Sequence, residues 1–369
     1  MACTRTALPL SCPIVLRDYI APPTTCARLE TIVSAAGGTL TTRPTVTRVI
    51  YPLPSGGDRG VSDFFRSSSV VDFEPDFIAR LPQGRVFGEG IILSPDGRTI
   101  ARDVSPDFGK SFAEHWLLTY RKMRPPTPIS GATAVIATTL GSGYAHWLLE
   151  ELPRWLTLPR GSARRMITHA NRTFSREALA SSGFEGEIWE AKRYAHFIGE
   201  ELVIPSFVGR AGFPTPVGVR LLRDFATPFL GGESPFGERL YISRAKARRR
   251  RVSNEKELEV LLKSRGFVTL ELESLSWQQQ VAAFSRARTI VGPHGAGLAN
   301  LVFCEPGTRV VECFHRAYVD GGFWRLAAVN GLDYRPVVAT GTQPLALEVR
   351  ANRQDMVVNL PAVMTACRD

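Results

Sequence analysis

From residue 132 onward, short apolar runs alternate with segments in which apolar residues recur every three or four positions. The short runs are typical of buried strands, and the recurring positions are typical of amphipathic helices. The pattern predicts strands at residues 134–138, 165–168, 200–205, 239–243, 267–270, 289–292, 309–312 and 334–338. It predicts helices at residues 144–158, 175–182, 214–230, 295–303 and 323–329. Strands that alternate with helices indicate parallel sheets covered by helices on both faces, which is an α/β fold.

Two further helices are predicted from their first residues. Asn254 is a favourable N-cap, and Glu257 stands three residues later, as a capping box requires. Ser276 and Gln279 repeat that spacing ahead of a segment whose apolar residues share one helix face. These signals place one helix after the strand at 239–243 and another after the strand at 267–270.

The N-terminal part of the chain gives weaker signals. Residues 1–80 have few apolar positions and many Pro, Thr, Ser and Gly residues, so we predict loops and short strands there. Two runs of strand-forming residues within 86–104 predict a β-hairpin that turns at Pro95, Asp96 and Gly97. Residues 122–130 contain three prolines and predict a linker or rigid loop, and residues 231–237 predict a connector.

The length of 369 residues exceeds the size at which a single core usually stops growing, about 250–300 residues. We therefore predict two doubly wound domains, at residues 81–230 and 231–345, that face a central cleft. An irregular region at 1–80 is predicted to pack on the first domain, and residues 346–369 are predicted to form a C-terminal tail.

Ligands of open parallel sheets bind beyond the carboxyl ends of the strands. In the second domain this rule selects Arg244, the segment that contains His294, Gly295 and Gly297, and Glu312. Glycines and a helix N-terminus allow the backbone to approach a phosphate closely, and the planar guanidinium of an arginine fits phosphate oxygens. A carboxylate can accept hydrogen bonds from ribose hydroxyls. The set predicts a nucleoside diphosphate site. Taken singly, the same residues also fit a tight turn, a structural histidine and a salt-bridged glutamate.

In the first domain the same rule selects the segment after residues 134–138. His146 and Glu150 are four residues apart there and share one helix face. A carboxylate beside an imidazole orients it and raises its pKa, which suits a general base. The alternative is an ordinary ion pair on a solvated surface.

The charge of the chain favours an anionic partner. Lys and Arg number 45 against 35 Asp and Glu, which gives a net charge of +10. Part of the surplus is a basic run at residues 244–251, which also fits a solvated loop. No Asp-x-Asp, no metal-ligand spacing and no P-loop motif occurs. We therefore predict no metal and no phosphoryl transfer through a P-loop.

Several sequence features indicate the compartment. No apolar stretch of about 20 residues is present, so no transmembrane helix is predicted. The apolar piece at residues 8–16 is short and interrupted by prolines, unlike a secretory signal. Six cysteines without a CxxC pair favour a reducing compartment, and we predict a cytoplasmic protein.

The segment from Tyr144 to Arg154, YAHWLLEELPR, resembles the YxHWLLDxLPR segment of glycosyltransferase family 61. The second domain follows the same family in order and spacing through LYISR at 240–244, RVSNE at 251–255, Gln280, VGPHGAGLAN at 291–300 and VVE at 310–312. The resemblance covers residues 130–340 well and the N-terminal third only loosely. Glu150 departs from the pattern, because the family usually has Asp at that position.

The resemblance implies the two-domain arrangement called GT-B and an inverting, metal-independent transfer from a nucleotide sugar. The family includes enzymes that add xylose or N-acetylglucosamine to glycans, and bacterial members linked to capsular polysaccharide synthesis. His146 and Glu150 would supply the base on the acceptor side. The donor, expected to be UDP-linked with no other cofactor, would bind the second domain. The donor-binding residues carried over are Arg244, Arg251, Asn254, Gln280, His294, Gly295, Ala296, Gly297, Asn300 and Glu312.

The implied acceptor is a glycan or a lipid-linked glycan, and the basic surplus fits peripheral contact with an anionic inner membrane surface. Three alternative functions stay open: a catalytically inactive transferase, and two classes of protein that do not transfer sugars. A dinucleotide-dependent oxidoreductase would need a third glycine, which the segment from His294 to Ala299 lacks. A non-catalytic glycan- or nucleic-acid-binding protein would use the basic run, but few aromatic residues accompany it, so we expect no nucleic acid partner.

Overall fold

The computed structural model describes residues 19–43, 48–231 and 235–368. The apolar piece at 8–16 and part of the predicted connector at 231–237 lie outside the described residues. The strands, in chain order, are β1 Thr25–Ala27, β2 Thr39–Arg43, β3 Arg48–Ile50, β4 Val70–Asp72, β5 Asp76–Pro82, β6 Arg85–Phe87, β7 Ile91–Leu93, β8 Thr99–Ala101, β9 Thr127–Val135, β10 Arg165–Thr168, β11 Glu187–Glu190, β12 His196–Pro205, β13 Gly209–Arg210, β14 Phe213–Pro214, β15 Arg239–Ile242, β16 Val268–Leu270, β17 Thr289–Pro293, β18 Arg309–Phe314 and β19 Asp333–Val338.

The helices lie between these strands and, at the C-terminal end, after β19. The α-helices are α1 Leu29–Ala35, α2 Arg59–Phe65, α3 Tyr144–His146, α4 Leu152–Leu156, α5 Thr173–Ser181, α6 Pro216–Ala226, α7 Glu255–Lys263, α8 Trp277–Arg286, α9 Gly322–Val329 and α10 Leu360–Ala366. Short 3-10 helices span Arg66–Ser68, Trp116–Thr119, Thr227–Phe229, Leu272–Ser274, Ala296–Phe303 and Val349–Arg353. None of the described helices is long and apolar enough to cross a bilayer.

The second half of the chain forms a five-stranded sheet whose strands are all parallel. The strand order is β16-β15-β17-β18-β19, so the chain reverses its direction of winding between β15 and β17. That point is where doubly wound sheets bind ligands, because the loops after the two strands separate there. The predicted alternation of strands and helices is confirmed in this half.

The first half forms a ten-stranded sheet of mixed direction. Strands β9 to β12 run parallel to their neighbours in this group, whereas β5 and β6 pair with β12 in the antiparallel sense. The α/β class is confirmed, but the first half is a mixed sheet, in which antiparallel strands extend the parallel strands of the doubly wound domain that we predicted. The antiparallel partners of β12 are β6, which begins the hairpin predicted at 86–104, and β5, which the apolar pattern did not reveal.

The predicted linker at 122–130 is also wrong from Thr127 onward, because β9 begins there. Pro128 is the reason that this strand was missed. It pairs with Ile198 of β12, at a point where β10 does not yet flank the other side of β9. A proline is tolerated at such a position, because only one side of β9 has a neighbouring strand there and a proline can lie at an edge.

The predicted hairpin at 86–104 is confirmed as the antiparallel strands β6, β7 and β8. Residues before 80 contribute α1 and the strands β1, β2 and β5 to the first half. The segment around α2 contacts the second half instead. Phe65 stacks on Trp324 with ring centroids 4.6 Å apart, and the Asp58 N–H donates to the Pro336 carbonyl.

The C-terminal segment packs on the five-stranded sheet. Val363 and Ala366 of α10 belong to the same apolar cluster as Tyr241 of β15 and Val311 of β18. Arg251 forms an ion pair with Asp355 at 2.8 Å, which fastens the segment that leads into α10. The residues predicted as a tail are therefore part of the packed second half.

One helix carries the predicted base and lies between the two sheets. It runs through α3, a π-helical turn at Trp147–Glu151, and α4. Pro153 lacks an N–H, which is compatible with a wider turn before it, and such turns are frequent at functional sites. The buried Arg154 donates to the carbonyl oxygens of Ile136, Ala137 and Pro205. This arginine fixes the helix to the carboxyl ends of β9 and β12.

Candidate functional site

The carboxyl end of β15 presents Arg244 to the glycine loop, residues 293–297, which follows β17. A Cβ atom on Gly295 would lie 2.1 Å from Arg244 Nη1, so a larger residue would displace the guanidinium. Arg244 also donates to the carbonyl oxygens of Arg249 and Arg250, at 2.9 and 3.3 Å. Burial, followed by the charge of Arg250, lowers the pKa of Arg244 to about 10. A charged guanidinium is thus held against the glycine loop.

A 3-10 helix, Ala296–Phe303, begins within the last two residues of the glycine loop. The sequence predicted an α-helix at these residues. The N–H groups of Ala296 and Gly297 precede any intrahelical acceptor, and they lie at the positive end of the helix. A Cβ atom on Gly297 would meet Leu272 Cδ1 at 2.6 Å. The two glycines therefore make room for protein side chains, and their contact with a phosphate stays a prediction.

Arg250 adds a second cation at this edge, and the sequence did not single it out from the basic run. Its backbone has a φ of 54°, which is uncommon for a residue other than glycine. Its Nε donates to the carbonyl oxygen of His294 at 3.1 Å, and its guanidinium lies over the ring of Tyr318 at 5.4 Å. The unusual backbone conformation directs this arginine to the glycine loop, away from the rest of the run.

His294 and Glu312 form a buried pair beneath the glycine loop. His294 Nδ1 donates to Glu312 Oε1 at 2.6 Å, and the Tyr334 hydroxyl donates to the other carboxylate oxygen. Burial raises the pKa of Glu312, and the bond from His294 opposes this shift. Glu312 is fully buried and bonded at both oxygens, so its predicted contact with ribose finds no support in the geometry. The ring nitrogen of His294 left for a ligand is Nε2.

Gln280 and Asn300 are also buried, and they join the two halves of the molecule. The Asn300 amide nitrogen donates to Gln280 Oε1 at 2.9 Å and to the Gly297 carbonyl at 3.1 Å. The Tyr144 hydroxyl, at the start of α3, donates to Asn300 Oδ1 at 2.5 Å. These side chains hold the glycine loop and the helix of the predicted base in register, which is a positioning role.

The Tyr144→Phe variant is expected to lower the free energy of unfolding by about 1–3 kcal/mol. It leaves the buried Asn300 Oδ1 without a donor, and an unsatisfied buried acceptor costs that much. Urea unfolding at constant m measures the change. The matched control is Tyr194→Phe, since Tyr194 is half exposed; its effect should stay within about 0.5 kcal/mol. Equal effects of both variants would contradict a contribution from this bond.

Arg251 and Asn254 have other partners. Arg251 is bonded through two of its side-chain nitrogens to Asp355. The Asn254 amide exchanges two hydrogen bonds with the backbone of Val358 and makes no cap, so the predicted capping box with Glu257 is wrong. Both side chains fasten the C-terminal segment and leave the donor-binding role without support in the geometry.

On the first half, His146 and Glu150 form the pair that their spacing predicts. His146 Nδ1 lies 2.6 Å from Glu150 Oε1, and Nδ1 carries the proton because a carboxylate only accepts. The side chain of His146 is 34% exposed and that of Glu150 is 8% exposed. Burial acts to lower the pKa of His146, but the bond and charge of Glu150 outweigh it, and the net shift is upward. The imidazole Nε2 is the nitrogen left for proton transfer.

A second carboxylate–imidazole pair, which the sequence did not reveal, lies behind the first. Glu151 Oε1 accepts from His169 Nδ1 at 2.6 Å and from the Thr138 N–H at 2.9 Å. The Thr168 hydroxyl donates to Oε2 at 2.6 Å. A Cβ atom on Gly141 would overlap Glu151, so this glycine is the one sequence signal for the buried acid. The pair joins the ends of β9 and β10 to the loop that precedes His146.

The described residues show a cavity away from the predicted site, and they show no group of side chains suited to hold a metal ion. One cavity of about 440 Å³ lies at the amino ends of β17 and β18 and contains none of the predicted site residues. Within residues 19–43, 48–231 and 235–368, no three His, Cys, Asp or Glu side chains are grouped to hold a metal ion. The predicted residues that the structure does bring together are Arg244, His294 and the glycine loop, with His146 and Glu150 on the other half.

The family model described as Glycosyltransferase 61 matches residues 144–311. The match begins at Tyr144 and includes His146, Arg244 and the glycine loop, so it spans the elements that build the site. No curated protein matches the chain significantly. Residues 144–311 thus form a glycosyltransferase family 61 domain.

Proposed function

We propose that this glycosyltransferase has a GT-B-like arrangement and transfers a sugar, with inversion, from a nucleotide-sugar donor to a hydroxyl of a glycan. The observation that carries the proposal is the meeting of Arg244, Arg250 and the glycine loop at the switch point of the parallel sheet. In a family 61 chain, this cationic edge suits the diphosphate of the donor. The first half then presents the acceptor.

The donor site stabilises the charge that develops during transfer. As the bond from the anomeric carbon to the diphosphate breaks, negative charge accumulates on the diphosphate oxygens. Arg244 and the N–H groups of Ala296 and Gly297 are already fixed where that charge forms, so they need no reorganisation. We propose that these groups replace a divalent cation, which makes the reaction metal-independent.

The acceptor site supplies the base. His146 Nε2 takes the proton of the acceptor hydroxyl as its oxygen attacks the anomeric carbon on the face opposite the diphosphate. Glu150 accepts a hydrogen bond from Nδ1–H and stabilises the imidazolium that forms. A single displacement of this kind inverts the configuration at the anomeric carbon.

The protein should be stabilised by its own donor in a buffer that contains EDTA. A ligand present at 100 times its Kd stabilises the folded state by about 2.7 kcal/mol, which gives a measurable rise in Tm. A thermal-shift screen of UDP-xylose, UDP-N-acetylglucosamine, UDP-glucose and their GDP counterparts makes the measurement. Stabilisation that appears only after Mn²⁺ is added would contradict metal independence. No stabilisation by any nucleotide or nucleotide sugar would contradict the proposed function.

The acceptor is proposed as a glycan or a lipid-linked glycan, met in the cytoplasm at an anionic membrane surface. The net charge of +10 supports that part of the proposal, because it favours association with anionic lipids. The oxidoreductase alternative loses support, because the glycine loop lacks the third glycine of a dinucleotide site and the family match points to sugar transfer.

A further inference from the structure

Asp320 stands on the loop between β18 and α9, beyond the carboxyl edge of the parallel sheet. The same loop carries Tyr318, whose ring lies 5.5 Å from the ring of His294 and under the guanidinium of Arg250. The Gly322 N–H donates to Asp320 Oδ1 at 2.7 Å and fixes the carboxylate. This loop therefore packs Tyr318 against the glycine loop and carries a carboxylate two residues further on, at a position that no sequence motif marks.

Groups from three separate segments sense the charge of Asp320. They are His146 of α3, Arg250 of the basic run and Arg325 of α9. Burial acts to lower the pKa of each of these groups, and the negative charge of Asp320 acts to raise it. Glu150 and Glu151 are the other carboxylates that raise the pKa of His146. Asp320 is therefore the carboxylate of the second half whose charge raises the pKa of the proposed base.

Asp320 still has capacity to bind a ligand. Within the described parts of the chain its side chain makes no ion pair, and its one hydrogen bond is the one from Gly322. A carboxylate repels a diphosphate, so the phosphate oxygens belong with Arg244 and the glycine loop. Between those cations and the base lies the sugar that is transferred, whose hydroxyls are donors for a carboxylate.

We propose that Asp320 accepts hydrogen bonds from hydroxyl groups of the transferred sugar and thereby selects which nucleotide sugar is bound. This inference rests on the proposed function and assigns one side chain to sugar recognition. A hydroxyl bonded to a charged partner contributes strongly to discrimination, because a sugar that lacks it leaves the carboxylate unpaired. Asp320 thus contacts the sugar moiety and leaves the nucleotide to other residues.

Calorimetric titrations of the full chain in EDTA separate the two parts of the donor. The ligands are UDP, GDP and the nucleotide sugar that stabilises the wild-type protein most, each against wild-type, Asp320→Asn and Glu257→Gln. The Asn side chain keeps the acceptor for the Gly322 N–H but loses the charge. We expect Asp320→Asn to lower the affinity for the nucleotide sugar by about 10- to 100-fold and the affinity for the bare nucleotide by less than about twofold. Glu257 is exposed on α7, and Glu257→Gln should change neither affinity.

Each other outcome contradicts the assignment in its own way. Equal weakening of nucleotide and nucleotide sugar would place Asp320 in support of the nucleotide site. Unchanged affinity for the nucleotide sugar would remove it from sugar recognition, and if turnover were also lost, Asp320 would be the base. If the wild-type protein bound neither kind of ligand, the proposed function would fail and this inference with it. The His146 imidazole, followed by NMR, should titrate at lower pH in Asp320→Asn, and an unchanged titration would contradict the proximity of the two groups.

Discussion

Arg244→Ala is expected to lower kcat by about 10²–10³ while the protein stays folded. The variant removes a fixed cation from the proposed site of the leaving diphosphate, and loss of one such group costs about 3–4 kcal/mol of transition-state stabilisation. Arg244→Lys should recover only part of the rate, because an ammonium lacks the planar fork of the guanidinium. Steady-state rates with saturating donor give the measurement.

The control for Arg244→Ala is Arg248→Ala, which removes an exposed cation from the same basic run. Arg248→Ala should keep turnover close to that of the wild-type protein. Because Arg244 also bonds the carbonyl oxygens of Arg249 and Arg250, its removal can loosen that loop, and Tm must be measured for every variant. A folded Arg244→Ala variant with near-wild-type turnover would refute the assignment, and equal losses in both variants would reduce it to an effect of net charge.

His146→Ala is expected to lower kcat by at least about 100-fold while donor affinity survives. General base catalysis contributes about 10²–10⁴ in rate, and the donor groups lie on the other half of the molecule. Glu150→Gln should lower kcat by a smaller factor, because the amide oxygen still accepts the hydrogen bond from Nδ1–H. The remaining loss arises because a neutral amide no longer stabilises the imidazolium. Activity in His146→Ala together with a dead Glu150→Gln would make the carboxylate the base. Activity in both variants would move the search to His294.

The pH dependence gives an independent check on the same residue. Glu150 raises the pKa of His146 above its ordinary value near 6.5, so the proposed base would be protonated and inactive at low pH. The acid limb of kcat/KM should therefore lie above pH 6.5, and activity should be lost as the pH falls through it. Glu150→Gln removes the larger of the carboxylate effects and should move this limb to lower pH. A limb that Glu150→Gln leaves in place would belong to another group.

The sequence was sufficient for features that follow from local pattern. Arg244 and the glycine loop were found because a parallel strand followed by a helix predicts its own ligand edge, and the five-stranded sheet confirms that order. The pair of His146 and Glu150 follows from helical spacing alone. Each of these predictions depends on residues that are close in the chain or on strands that follow one another.

The remaining features depend on partners that are distant in sequence. The buried bonds of Glu312 with Tyr334 and of Asn300 with Tyr144 join residues 22 and 156 positions apart, so no local pattern shows that these side chains are already occupied. The antiparallel pairing of β5 and β6 with β12 was missed for a similar reason, because β12 is distant from both strands in the sequence. Asp320 belongs to no motif, and its place at the site follows from the path of a loop.

The hydrogen bond from Tyr144 to Asn300 also limits how the two halves can move. It connects the first turn of the helix that carries the base to the 3-10 helix that follows the glycine loop. Pulling the halves apart at this point would leave a buried amide oxygen without a donor, at a cost of about 1–3 kcal/mol, so a hinge motion that pivots about the bond and opens the opposite rim is favoured over one that breaks it. In such a motion the separation between the proposed base and the glycine loop would stay nearly constant. Closure would control the exclusion of water and the release of products, while the alignment of the reacting groups is inherited from the folded chain.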